Sequence, residues 1–109
     1  MAYATVDELA AALHVRIGAP PNDAVTLQAC LDAAALEIDH AVDRTDPIPD
    51  QDPLANRVNL LRAVEWFKAN DAAFGVVGAV DSGTLAAPRS GMRRHTATLL
   101  PLVQGYGIG

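Results

Sequence analysis

The chain contains one cysteine, Cys30, in 109 residues, so no disulfide can close within it. Set in a helical apolar pattern, Cys30 reads as a small buried residue, and a disulfide-stapled secreted scaffold is excluded. Aromatic side chains make up only 5% of the sequence. Alanine supplies much of the apolar half, and it buries little surface beside the roughly 1.5–3 kcal/mol that a buried Leu or Ile contributes. A core of this kind is thin, and assembly with other chains would make up the shortfall. No apolar run approaches the ~18–20 residues of a membrane span. The opening Met1-Ala2-Tyr3-Ala4-Thr5-Val6-Asp7-Glu8 also lacks the basic stretch and apolar run of an export signal. A soluble protein of a reducing compartment, without a membrane partner, is expected.

Motifs for catalysis are equally scarce. Gly75-x-x-Gly78 with Gly83 lacks the Lys-Ser/Thr ending of a phosphate-binding loop. His14, His40 and His95 fall on three different elements without the close spacing of zinc ligands. Asp81, Ser82 and His95 carry the letters of a triad, but no nucleophile elbow surrounds Ser82. We therefore expect no enzyme activity, no metal and no cofactor.

Positive charge is also sparse, with a net charge of -5. Its distribution is uneven: residues 1–56 hold ten acidic and two basic side chains, whereas 57–109 hold three acidic and six basic. A protomer with an acidic front and a mildly basic back favours head-to-tail association over two-fold pairing. Arg89, Arg93, Arg94 and His95 form the only basic cluster. It has few interleaved aromatics and belongs to an acidic protein, whereas nucleic acid draws on a broad cationic surface, so acidic groups on a partner protein, or on the next subunit's Asp32-Asp39-Asp43 face, suit it better.

What is present is a set of capped helical patterns. Thr5 and Glu8 form a capping box ahead of a short helix from about Val6 to Leu13. Gly18, Pro20 and Pro21 break the chain, and Asn22 or Asp23 caps a second helix reaching about Asp43. Along it Leu27, Leu31, Ala34, Ile38 and Val42 recur at spacings of three and four, a stripe roughly 80° wide that faces the core. Asp32, Asp39 and Asp43 gather on the far side together with Val25 and Leu36. The plain reading of these aspartates is a solvated face, while the two apolar residues among them suggest contact with a neighbour.

Residues 44–51 form a loop, after which Asp52 caps and Pro53 opens a third helix running to about Asn70 or slightly beyond. Leu60, Leu61, Val64 and Phe67 are expected to form its apolar face. Trp66 lies about 160° from Val64, either packing under the glycine-rich segment or anchoring a subunit interface, where Trp is enriched. Seven of the eight glycines fall between Gly75 and Gly109, and periodicity fails after Phe74. Residues 75–91 are expected to be an irregular loop or a hairpin turning at Asp81 to Gly83, followed by a short helix at about 94–103 limited by Pro101. The expected fold is mainly α: a single domain of about four helices with a glycine-rich loop and an extended C-terminal arm over 104–109. Irregular backbone has little to pair with in so small a body, so the arm reads as a device for gripping something else.

Four segments in order carry a further likeness: Tyr3-Ala4-Thr5-Val6-Asp7-Glu8-Leu9, Leu31-Asp32-Ala33-Ala34-Ala35-x-x-Ile38-Asp39, Trp66-Phe67-Lys68 through Phe74-Gly75, and Leu99-Leu100-Pro101-Leu102-Val103-x-Gly105-Tyr106-Gly107-Ile108. Together they resemble the head-tail connector, or adaptor, proteins of long-tailed bacteriophages. The resemblance implies a virion neck protein, made in the host cytoplasm, that forms a ring of about twelve copies beneath the portal protein. It further implies a channel through which DNA passes without specific binding, and a stopper or tail component as the next partner. Leu102, Tyr106, Gly107 and Ile108 match the segment that reaches the portal in that family. Val25, Leu36, Trp66, Arg93 and Arg94 are the candidate subunit contacts, and Asp32, Asp39 and Asp43 the candidate channel-facing acids. A stopper or tail-side joining protein is the nearer alternative, although such proteins are rich in strands. A small helical DNA-binding regulator is the other, and it would need a recognition helix with basic or amide side chains on its polar face.

Overall fold

Thr5 and Glu8 close a reciprocal cap: the Thr5 hydroxyl accepts from the Glu8 N–H at 3.1 Å, and the Glu8 carboxylate accepts from the Thr5 N–H at 2.9 Å. Helix α1 follows over Val6–Leu13 in the computed structural model, which describes residues 2–77, 88 and 91–103, with the side chains of 71–77 left aside. The chain turns out of α1 at His14, held at φ 58° while its N–H meets the Ala10 and Ala11 carbonyls. Loss of the cap in Thr5→Ala is expected to cost about 1 kcal/mol. A lower urea midpoint with unchanged slope would register it.

Helix α2 spans Ala24–Val42, with the Asp23 carboxylate accepting from the Thr26 N–H at 3.2 Å and Asp43 turning left-handed at the far end, φ 50°. Its inward stripe is buried as the spacing predicts, from Leu27 and Cys30 through Ala34 and Ile38 to Val42. The stripe serves two clusters in succession. Its first half packs with Leu9, Ala10, Ala63 and Phe67, and its second half with Ile48, Ala55, Val58, Leu99 and Leu102. Ile48 thereby pins the otherwise polar 44–51 loop to the core.

Helix α3 covers Pro53–Val77, begun by Asp52, whose carboxylate accepts from the Leu54 and Ala55 N–H groups at 3.0 Å each. The helix continues through Gly75 to Val77, three residues into the segment expected to be irregular. One interior glycine costs only about 1 kcal/mol, which does not stop a helix already several turns long. The expected turn at 81–83 and the arm at 104–109 lie outside the described residues.

Burial corrects the orientation of α3. Ala55, Val58, Asn59, Arg62, Ala63, Phe67 and Asn70 face inward, whereas Leu61 is 43% exposed and Leu60 and Val64 are half-buried. The buried face is centred on Asn59 and Asn70, not on the leucines. At the C-terminal end, one helix over 94–103 is replaced by three short pieces: a 3₁₀ turn Met92–His95, the four-residue helix α4 over Thr96–Leu99, and a second 3₁₀ turn Leu100–Leu102. Pro101 has no N–H to continue the ladder, and Leu99 and Leu102 hold the segment against α2 and α3. Among the described residues the fold is entirely helical.

Candidate interaction surfaces

The polar face of α3 can be buried because Asn59 and Arg62 meet partners on other elements, while Asn70 donates to the Trp66 carbonyl one turn back at 2.8 Å. Arg62, only 2% exposed, places Nε and one terminal nitrogen on the two carboxylate oxygens of Glu37 in α2, both at 2.8 Å, and another nitrogen on Glu65 at 2.8 Å. The Trp66 indole N–H donates to Glu37 at 2.6 Å. Glu65 is met in turn by Arg94 and, at 3.3 Å, by the His95 ring. One network thus ties α2, α3 and the Met92–His95 turn together. Burial alone would raise the Glu37 and Glu65 carboxyls, but the hydrogen bonds from Arg62, with Trp66 on the one and Arg94 and His95 on the other, outweigh it and hold both below the usual range.

Asn59 is the second polar anchor. Its side-chain carbonyl accepts from the Tyr3 and Ala4 N–H groups at 2.8 and 2.9 Å, and its amide donates to the Leu31 carbonyl at 3.0 Å. Asn56 donates to the Tyr3 carbonyl at 2.9 Å. The segment before α1 is therefore strapped across α3, and the Tyr3 hydroxyl reaches Asp39 on α2. Neither anchor can be found from apolar periodicity. The available signal is the recurrence of Asn59, Arg62, Trp66 and Asn70 at helical spacing.

The proposed subunit contacts divide in two. Trp66 and Arg94 are engaged within the subunit, Trp66 with Glu37 and Arg94 with Glu65, so Trp66 is a seam residue between α2 and α3 and not an exposed anchor. Arg93 is exposed at the surface. Val25 and Leu36 are 79% and 68% exposed. Asp32, Asp39 and Asp43 are exposed on the same side of α2. Asp32 accepts from Gln28 at 2.8 Å. Of the portal-directed set, Leu102 is buried in the second core cluster, so its side chain is spent on the fold. Tyr106, Gly107 and Ile108 lie outside the described residues.

On the opposite side of the molecule, Leu60, Leu61 and Val64 floor a groove between Ala12 of α1 and the Arg94-His95 turn, with Lys68 at its end. Arg57 continues the line one helical turn before Leu61 and is exposed. The two outer faces are unlike: α2 presents apolar and acidic groups, α3 apolar and basic ones.

Among the described residues no group of three or more His, Cys, Asp or Glu side chains is placed to hold a metal ion, and no helix is long and apolar enough to cross a membrane. Cys30 is fully buried, and burial pushes its thiol up to about 12. Thiol reagents at neutral pH are expected to leave it unmodified until the protein unfolds, and rapid labelling of the native chain would contradict this packing. No family model, curated protein or solved structure matches the chain.

Proposed function

We propose that this chain is a non-enzymatic structural subunit of a phage neck, forming a ring of about twelve copies beneath the portal protein and carrying the DNA channel toward a stopper or tail component. The observation that supports it most is the pair of unlike, unpartnered faces on opposite sides of the α2–α3 pair. A subunit built to meet copies of itself front to back has this form, since a heterologous contact uses two different patches. The N-terminal strap and the Arg62 network make the body rigid, as a ring component requires.

Leu99 and Leu102 pack into the core shared with α2 and α3, and the portal contact is assigned to the residues after Val103. Tyr106, Gly107 and Ile108 then reach the portal while Leu102 anchors the arm's root. Asp32 shares its face with Val25 and Leu36 and belongs to the subunit contact. Asp43, with Asp46 and Asp50 in the following loop, all exposed, supplies the acidic surface toward the channel, where like charge keeps DNA from adhering. DNA is a passenger here and no base is read.

Capture of portal protein by the full chain and by a chain ending at Val103 tests the assignment. The full chain is expected to retain portal and the shortened chain to lose it. Equal capture by both would remove the arm from the mechanism, and no capture by either would overturn the neck reading.

A further inference from the structure

We propose that the outer ridge of α2 on one copy seats in the groove beside α3 on the next, so that the partner of each face is a second copy of this chain. The contact deepens the ring reading and rests on it for closure, but it can be measured without any other component.

Two observations carry the pairing of the ridge and the groove. Their apolar parts are complementary in form: Val25 and Leu36 protrude at 79% and 68% exposure, while Leu60, Leu61 and Val64 lie in a recess walled by Ala12 on one side and the Arg94-His95 turn on the other. Their charges are opposite. Asp32 lies one turn before Leu36, and Arg57 and Lys68 lie one turn before and two turns after Leu61. Each face thus offers what the other lacks.

The ridge and the groove cannot meet within one molecule. Helices α2 and α3 bury their inward faces against one another, which leaves the ridge and the groove pointing away from that seam on opposite sides. A contact between them is therefore heterologous: every copy still offers one free ridge and one free groove, and the array grows until it closes on itself. Glu65 does not oppose the incoming aspartate, because Arg62, Arg94 and His95 already hold its carboxylate.

Sedimentation of Leu36→Asp and Leu61→Asp chains, alone and mixed, distinguishes this contact from every symmetric one. Both positions are exposed, so each variant is expected to keep its helical circular dichroism. The unmodified chain is expected to associate beyond dimers as concentration rises, and less so at high salt. Each variant alone should lose association by at least about tenfold. Their equimolar mixture should form a heterodimer and nothing larger, because the intact ridge of the Leu61→Asp copy fits the intact groove of the Leu36→Asp copy and no other good pair is left. A charge-only pair, Asp32→Lys mixed with Lys68→Glu, should recover association that Asp32→Lys alone has lost, and it serves if an aspartate in the groove disturbs folding.

An unmodified chain that stays monomeric at millimolar concentration would overturn the proposal, as would a Leu61→Asp chain that associates normally or a mixture that stays monomeric. If portal capture persists while the mixture fails, the ridge-and-groove contact is wrong and the neck reading stands. If the mixture behaves as expected but portal is never captured, the contact stands without the neck.

Discussion

Replacing Arg62 by leucine is expected to destabilise the protein by about 3–5 kcal/mol near neutral pH, a large share of the about 5–15 kcal/mol that holds a domain of this size. The guanidinium is 2% exposed and joins Glu37 to Glu65. Without it the Glu37 carboxylate, 28% exposed, keeps among the described residues the Trp66 indole, whereas Glu65 retains Arg94 and His95. Leucine restores much of the lost volume, so the deficit measures the stranded charge more than a cavity.

The pH dependence has a definite sign. In the native protein both carboxyls are depressed below 4.5, so their contribution is complete above that value and is lost as pH falls through their lower folded values. In the Arg62→Leu protein burial dominates at Glu37 and moves its carboxyl up instead, so protonation relieves the penalty. The gap between the two proteins should therefore narrow from pH 7 to pH 4. Urea midpoints at the two pH values measure it, and an equal loss at both would show that Arg62 acts by packing alone.

The second large effect is expected at Asn59. Asn59→Leu removes the acceptor of the Tyr3 and Ala4 N–H groups and the donor to Leu31, and each buried group left unpaired costs about 1–3 kcal/mol. A total of roughly 3 kcal/mol is expected, allowing for water reaching the freed strap. The loss should be local in its first consequence. Amide exchange at Tyr3 and Ala4 should rise to the rate of a frayed terminus, while protection along α2 and α3 falls only with global stability. Uniform loss of protection, with no excess at the strap, would contradict the anchoring role.

These two side chains also mark where reading the sequence succeeds and where it stops. Helices α1 and α2 are legible nearly to the residue, because Thr5, Glu8, Asp23 and Asp43 act on N–H and C=O groups within four positions of themselves. Asp52 and Pro53 announce α3 in the same local way. The face of α3 is not legible, because apolar spacing places Leu60, Leu61 and Val64 inward, whereas Asn59 and Arg62 are buried by virtue of partners 25 to 56 positions away. Trp66 is ambiguous in the sequence for the same reason, since its partner Glu37 is on another helix. Leu102 shows the converse: resemblance groups it with the terminal residues, and within the subunit it packs with Ile38 and Val42 in the core. The exposed Val25 and Leu36 are visible in the sequence as apolar residues on a polar face. Their counterpart, the groove over Leu61, becomes visible only once α3 is turned to its true orientation.

The central claim is that copies of this chain assemble front to back into a ring on a portal. Mass photometry of the chain mixed with purified portal rings tests it most directly. The account predicts all-or-none loading, in which portal particles carry either no added subunits or a full complement of about one per portal subunit, and predicts that Leu36→Asp reduces loading while leaving the arm intact. Independent binding of scattered single copies, or full loading by Leu36→Asp, would contradict it.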